Sequence, residues 1–312
     1  MEYLLLIIGF VLLIKGADFF VDGAASIAGK LRVPALIIGL TVVSMGTSMP
    51  EAAVSISASI SGSNSLSLGN VIGSNIFNLL MVVGVSSVIL PIVTDKAVLK
   101  RDMPFNIGIT VVLLLVLLDG ELSRLDGGIL LVIFAAYMFL LFKSAKNGQN
   151  DEEAPKQYSW LKSILLSVIG VGAIIGGGQL VVNNATTIAK NLGMGETLVG
   201  LTIVAIGTSL PELVTSIVAA KKNEPGIAMG NAVGSCIFNI LFILGITGAI
   251  KPVAADSTFF VDVSILIGIS VLMLVFAFTK RKTSRWEGAT CVLIYLAYTA
   301  YIIMRAYNIW IF

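Results

Sequence analysis

The sequence predicts an all-α integral membrane protein: ten transmembrane helices in two five-helix, inverted-topology repeats. Three observations carry that expectation. Hydrophobic residues are 57 % and charged residues 12 % of the 312-residue chain, about half the charged share of a soluble domain. Ten apolar stretches follow one another, most long enough for the roughly 20 residues that cross a bilayer core. A 58-residue block also recurs at a constant offset of 161.

The composition excludes several classes. So much apolar material cannot be hidden inside a water-soluble domain, and a disordered chain needs the opposite balance. A net charge of +2 gives nucleic acid no footprint. The 31 glycines and 8 prolines follow no collagen-like period and suit membrane helices, where neighbours re-satisfy broken backbone bonds. Histidine is absent, which removes His-based zinc sites and Ser-His catalysis. No enzyme and no resident cofactor is expected. Cys236 and Cys291 are too few for a disulfide framework and read as packing residues.

The spans run near 3–28, 34–61, 67–91, 104–118, 126–142, 161–188, 195–220, 227–250, 259–279 and 286–307. The first is not read as a cleaved signal peptide, because Met1-Glu2-Tyr3 has no basic start. An even number of spans puts both termini on one side. With the N-terminus outside, 15 Lys and Arg fall in inside loops and 4 outside, which the positive-inside rule favours. The expected location is therefore the cell membrane, with both termini extracytoplasmic. Residues 143–160 form the one sizeable hydrophilic stretch and read as a cytoplasmic linker. The halves are then 1–142 and 161–312. Lys15, Asp18 and Asp22 share a face of the first span, and a Lys15–Asp18 pair is expected there. Asp119, Glu121, Arg124 and Asp126 read as a short solvated outer loop.

The repeat pairs 38–95 with 199–256 without a gap, with 24 of the 58 positions identical. Gly, Pro, Ser, Asn and Glu hold register, which chance similarity between apolar segments does not preserve. Five spans is an odd number, so the second half enters the membrane from the opposite face. That arrangement is typical of secondary transporters, whose sites lie at the midplane between repeats.

Gly46-Thr47-Ser48-Met49-Pro50-Glu51 matches Gly207-Thr208-Ser209-Leu210-Pro211-Glu212. Each block falls midway along a span. Proline lacks an N–H and clashes with the carbonyl four residues earlier. Carbonyls near Ser44–Thr47 and Ala205–Thr208 are therefore expected to become available. Glu51 and Glu212 are ionisable groups in the bilayer, each costing at least ~2.5–3.5 kcal/mol on insertion scales, and functional candidates by default. Thr47 and Ser48 share a helical face with Glu51, as Thr208 and Ser209 do with Glu212. A second block places Ser74 and Asn78 four apart, matched by Ser235 and Asn239. Gly69/Gly73 and Gly230/Gly234 have the spacing that permits close helix contact. The pooled donors are all hard oxygens. They suit Ca2+, which takes 6–8 oxygens, and equally Na+. Two carboxylates neutralise one divalent ion and are costly without one, so replacement ions are needed and exchange is favoured over diffusion. A channel would favour rings of ligands around a symmetric pore.

GTSMPE with GNVIGSNIFN, and GTSLPE with GNAVGSCIFN, resemble the two alpha-repeats of the calcium/cation antiporter superfamily, the sodium/calcium exchangers, in its compact prokaryotic form. The resemblance covers nearly the whole chain. It implies that Glu51 and Glu212 bind both Ca2+ and Na+, and that the Thr47 and Thr208 carbonyls complete the calcium site. It implies that Ser48, Ser74, Ser209, Ser235 and the Ser44 and Ala205 carbonyls line flanking sodium sites, with Asn78 and Asn239 bordering the centre. It further implies alternating access, with the first and sixth spans sliding over the rest. Some members carry Asp where Asn239 stands, so potassium cotransport is not expected. The partners so implied are Ca2+, Na+ and the lipid bilayer, with the monomer as functional unit. A Ca2+/H+ antiporter using the same glutamates is the alternative.

Overall fold

The computed structural model describes residues 1–62, 64–147, 158–193 and 205–306. The described residues are helical almost throughout. Its helices are α1 (Glu2–Leu31), α2 (Ala35–Thr47), α3 (Met49–Ser61), α4 (Leu66–Ile89), α5 (Val98–Asp119), α6 (Arg124–Ala145) and α7 (Trp160–Asn191). They continue as the short α8 (Ala205–Thr208) and as α9 (Leu210–Lys221), then α10 (Pro225–Ile250), α11 (Ser257–Phe278) and α12 (Arg285–Arg305). Among the described residues, eight helices are long and apolar enough to span a bilayer, and α2 with α3 makes a ninth candidate bent by 50°. The expected span at 195–220 lies partly outside the described residues, as does most of the 143–160 linker. The fourth and fifth spans are longer than their apolar runs suggested. α5 begins in a π-helical turn that takes in Lys100, Arg101 and Asp102.

Local chemistry fixes the ends. The Ser159 hydroxyl accepts the Lys162 N–H at the start of α7, and Asp256 accepts the Thr258 N–H before α11. Ser123 and Asp126 form a reciprocal capping box at the start of α6, and Ser284 and Glu287 form another at α12. Asp126 therefore belongs to a helix cap and not to the solvated outer loop expected of it.

α4 and α10 are the most enclosed spans, with 72 % and 78 % of their most apolar stretches buried. The corresponding shares are 17 % for α12 and 22 % for α6, so these two lie outermost. α1 and α7 pack along their whole length through small residues. A Cβ on Gly9 would meet the Gly177 carbonyl at 2.9 Å, one on Gly16 the Gly170 carbonyl at 2.9 Å, and one on Gly23 the Ser163 carbonyl at 2.7 Å. Backbones this close gain dispersion contacts that larger side chains would forbid.

Two ribbons tie the halves together. β1 (Ile92–Val93) pairs antiparallel with β4 (Lys282–Thr283), and β2 (Glu121–Leu122) pairs antiparallel with β3 (Val253–Ala254). The offset of 161 converts β1 into β3 and β2 into β4, so each ribbon joins one half to the other in the same register.

Among the described residues, Lys15 forms no pair with Asp18. Asp18 and Asp22 instead bind Lys222, at 2.7 and 2.6 Å. The ammonium at the end of α9 also donates to the Asp18 carbonyl at 2.7 Å. A group brought from 200 residues away satisfies three acceptors at once, which the neighbouring Lys15, exposed on α1, does not do.

Candidate ion-binding site

Ser48 interrupts the helix between α2 and α3, with φ −83° and ψ 8°, and Ser209 does the same before α9, with φ −94° and ψ 6°. Each is the N-cap of a new helix carrying Pro in its first turn and Glu at its third position. Glu51 and Glu212 are both fully buried. An acidic group there faces unpaired N–H groups and the positive end of the helix dipole.

The pattern Ser-x-x-Glu invites a capping box of the kind formed at Ser284. Neither break uses its serine as a side-chain cap. The bonds cross between the halves instead. The Ser48 hydroxyl donates to Glu212 Oε1 at 2.7 Å, and the Ser209 hydroxyl donates to Glu51 Oε1 at 2.8 Å. Ser209 also lies 3.2 Å from the Ser74 hydroxyl. Thr47 and Ser235 approach the Glu212 carboxyl, and Thr208 approaches that of Glu51. The structure thus brings both glutamates and Thr47, Thr208, Ser48, Ser209, Ser74 and Ser235 into one buried cluster.

Asn78 and Asn239 begin π-helical turns within α4 and α10. The turn at Asn78 packs against α9 and the turn at Asn239 against α3, the helices bearing Glu212 and Glu51. Such turns widen the helix and are frequent at functional sites.

Ser44 is buried, but its carbonyl is engaged. It accepts the Ser48 N–H at 3.0 Å and the Thr47 hydroxyl at 3.3 Å. The expectation that Pro50 frees carbonyls here therefore fails at Ser44, because the chain breaks at Ser48 and closes this last turn. Ala205 opens α8, where the described residues resume.

Several buried polar atoms in this cluster have no hydrogen-bond partner among the described residues: Glu51 Oε2, Glu212 Oε2, Ser235 Oγ, Asn239 Oδ1 and both side-chain atoms of Asn78. A buried acceptor left unpaired costs about 1–3 kcal/mol, and more when charged. This density of unpaired oxygens is what a cation-binding cavity presents to a dehydrated ion.

Four further residues brace the cluster. Asn70 donates to the Glu51 carbonyl at 3.3 Å and to Ser55 at 2.9 Å. Asn231 repeats this with the Glu212 carbonyl at 3.1 Å and Ser216 at 2.9 Å, while accepting from Thr47 at 3.0 Å. Identity of Ser55 with Ser216, and of Asn70 with Asn231, across the repeat was the signal that could have found them. Gly230 and Gly234 make the close approach their spacing suggested. A Cβ there would sit 2.8 Å from the Leu36 carbonyl and from Leu40 Cα, respectively. Gly73 meets nothing within 4 Å, so the first pair lacks such a contact among the described residues. Cys291 packs against Met273 as expected, but Cys236 lies at the cluster, its thiol 3.7 Å from the Asn75 carbonyl.

A family model described as sodium/calcium exchanger protein matches residues 1–143 and 162–304. The chain is 34 % identical over 339 residues to the sodium/calcium exchanger MaX1 of Methanosarcina acetivorans, covering 95 % of this chain and 97 % of that one. It is 36 % identical to the inner membrane protein YrbG of Escherichia coli, covering 86 % of each. A solved structure of the sodium-calcium exchanger NCX_Mj, soaked with Na+ and Ca2+, superposes with a TM-score of 0.85 at 33 % identity, over 96 % of this chain and 97 % of that one. With matches of this extent, the chain belongs to the sodium/calcium exchanger family of membrane transporters.

Proposed function

We propose that this protein exchanges Na+ for Ca2+ across the cell membrane by alternating access, through a site shared by Glu51 and Glu212. The observation that carries the proposal is the crossed pair of serine–glutamate bonds, which leaves one oxygen on each carboxylate without a partner among the described residues, in a fully buried cluster. Two carboxylates neutralise one Ca2+. Hydroxyls of Ser48, Ser74, Ser209 and Ser235, carbonyls of Thr47 and Thr208, and amides of Asn78 and Asn239 complete a hard-oxygen set. Three Na+ ions can occupy the same donors in place of one Ca2+, leaving a net charge near +1, so the exchange moves charge. The Ser44 and Ala205 carbonyls belong to the flanking sodium sites in this reading. At Ser44, a Na+ would share the carbonyl with its internal donors.

The architecture we infer is ten spans in two inverted repeats, 1–142 and 161–312, joined by a cytoplasmic linker, with both termini extracytoplasmic. The repeat offset recurring in both ribbons, and in the serine–glutamate and asparagine bonds, supports it. One chain supplies both carboxylates, which favours the monomer as functional unit.

The test is Ca2+ uptake into vesicles holding the purified protein. A Na+ gradient is expected to drive uptake, and a proton gradient without Na+ is not. Equal rates without Na+ would overturn Na+ coupling in favour of proton exchange.

A further inference from the structure

The repeat offset that makes the two halves alike also shows where they differ. Asn75 and Cys236 are repeat partners, and they face each other. The Asn75 amide donates to the Cys236 carbonyl at 3.2 Å, and the Cys236 thiol points back at the Asn75 carbonyl at 3.7 Å. The residue three positions on in each half is the other asparagine of the cluster. Asn239 donates to Asn75 Oδ1 at 3.0 Å. The matching bond would run from Asn78 to the side chain at 236, and a cysteine has no amide oxygen to receive it. Asn78 is fully buried, and among the described residues both its Oδ1 and its Nδ2 lack a partner.

We infer that Cys236 is a positioning residue of the ion site: its lack of an acceptor leaves the Asn78 amide free to turn while Asn75 holds Asn239 fixed. The inference rests on the site proposed above and adds an asymmetry to it. With its nitrogen tied to Asn75, Asn239 offers a fixed oxygen. Asn78 presents oxygen or nitrogen according to what occupies the cavity. A cation therefore meets one preorganised amide oxygen and one that must be ordered on binding, and ordering weakens binding.

In Cys236→Asn, the new amide nitrogen can take over the thiol's contact with the Asn75 carbonyl, as Asn75 does across the pair. Its oxygen can then receive Asn78 Nδ2. Asn78 would be held as Asn239 is. One neutral hydrogen bond has a net worth of about 1 kcal/mol, which corresponds to about fivefold in affinity.

The experiment is calcium titration by calorimetry on the purified full-length protein in Na+-free buffer, with Glu212→Gln as control. Cys236→Asn is expected to tighten Ca2+ binding about fivefold. Asn75→Cys releases Asn239 and is expected to weaken binding about fivefold. The double exchange Asn75→Cys with Cys236→Asn restores one held and one free amide, and its affinity is expected to return toward that of the parent. Opposite effects of the two single variants are not expected of residues that merely pack. Unchanged affinity in both single variants, or a double exchange weaker than either, overturns the inference. Should Cys236→Asn fail to fold, Asn75→Cys alone decides, with unchanged affinity overturning the inference. Ca2+ binding retained in Glu212→Gln overturns the underlying site instead, which keeps the two failures distinct.

Discussion

Ser209 donates its hydroxyl to Glu51 from the N-cap of the helix that carries Glu212, and Ser48 returns the same bond to Glu212. Each carboxylate is thus held by the opposite half of the chain. Neither repeat holds its own glutamate through this serine bond, so the two carboxylates are coupled through the pairing.

Replacing either carboxylate by its neutral isostere tests that dependence. Glu51→Gln and Glu212→Gln are each expected to lower Ca2+ uptake at least about 100-fold while the protein still inserts. The attraction of unit charges 4 Å apart is about 4 kcal/mol at an effective dielectric constant of 20, and each 1.4 kcal/mol is a factor of ten. Vesicle flux together with a membrane-fraction immunoblot measures both. Retained flux in both variants would move the site elsewhere.

The lining of the α1–α7 contact gives a matched pair of substitutions on one helix. A Cβ on Gly170 would stand 2.6 Å from the Phe20 nitrogen, whereas one on Gly172 meets nothing within 4 Å. Gly170→Val is expected to destabilise the protein by about 1–3 kcal/mol through overpacking, and Gly172→Val to leave it unchanged. Thermal unfolding in detergent reads the difference. Equal melting temperatures would mean that the two helices separate more easily than their packing implies.

Much of this was legible beforehand because the repeat preserves chemistry that an apolar segment does not need. Pro50 with Glu51 and Pro211 with Glu212 marked the helix breaks and their charges from sequence alone. The partners of those charges were not legible. Ser48 and Glu51 have the same spacing as Ser284 and Glu287, yet one pair crosses to the other half and the other caps its own helix. The difference lies in what packs opposite, which no local pattern records. The π-helical turns at Asn78 and Asn239 were equally invisible, since nothing in their spacing departs from an ordinary helix. The partner of Asp18 was not legible either, because an ion pair between groups 204 residues apart leaves no trace in either neighbourhood.

That ion pair makes its own prediction. Lys222 is 24 % exposed, and its partners Asp18 and Asp22 are 42 % and 23 % exposed. Pairs in such settings contribute about 0.2–1 kcal/mol each. Lys222→Gln is expected to lower the melting temperature slightly at low salt and to match the parent at about 1 M salt, where the Debye length falls to about 3 Å. A difference that persists at high salt would assign the effect to hydrogen bonding to the Asp18 carbonyl.

The two ribbons offer a test of inverted topology that does not involve transport. Val93 lies opposite Lys282 in one, and Glu121 opposite Ala254 in the other. All four side chains are exposed. Facing residues on antiparallel strands have Cα atoms about 4.5–5.5 Å apart, within the usual disulfide range of about 4.4–6.8 Å. Val93→Cys with Lys282→Cys, and Glu121→Cys with Ala254→Cys, are each expected to form a disulfide on mild oxidation, giving a mobility shift on electrophoresis that reductant reverses. The ribbons are repeat counterparts, so inversion puts them on opposite faces of the membrane. In right-side-out vesicles, a membrane-impermeant reductant is expected to open the 121–254 bond and to spare the 93–282 bond until the vesicles are lysed. Simultaneous reduction of both in intact vesicles would place the two ribbons on one face, and the halves would then be parallel copies.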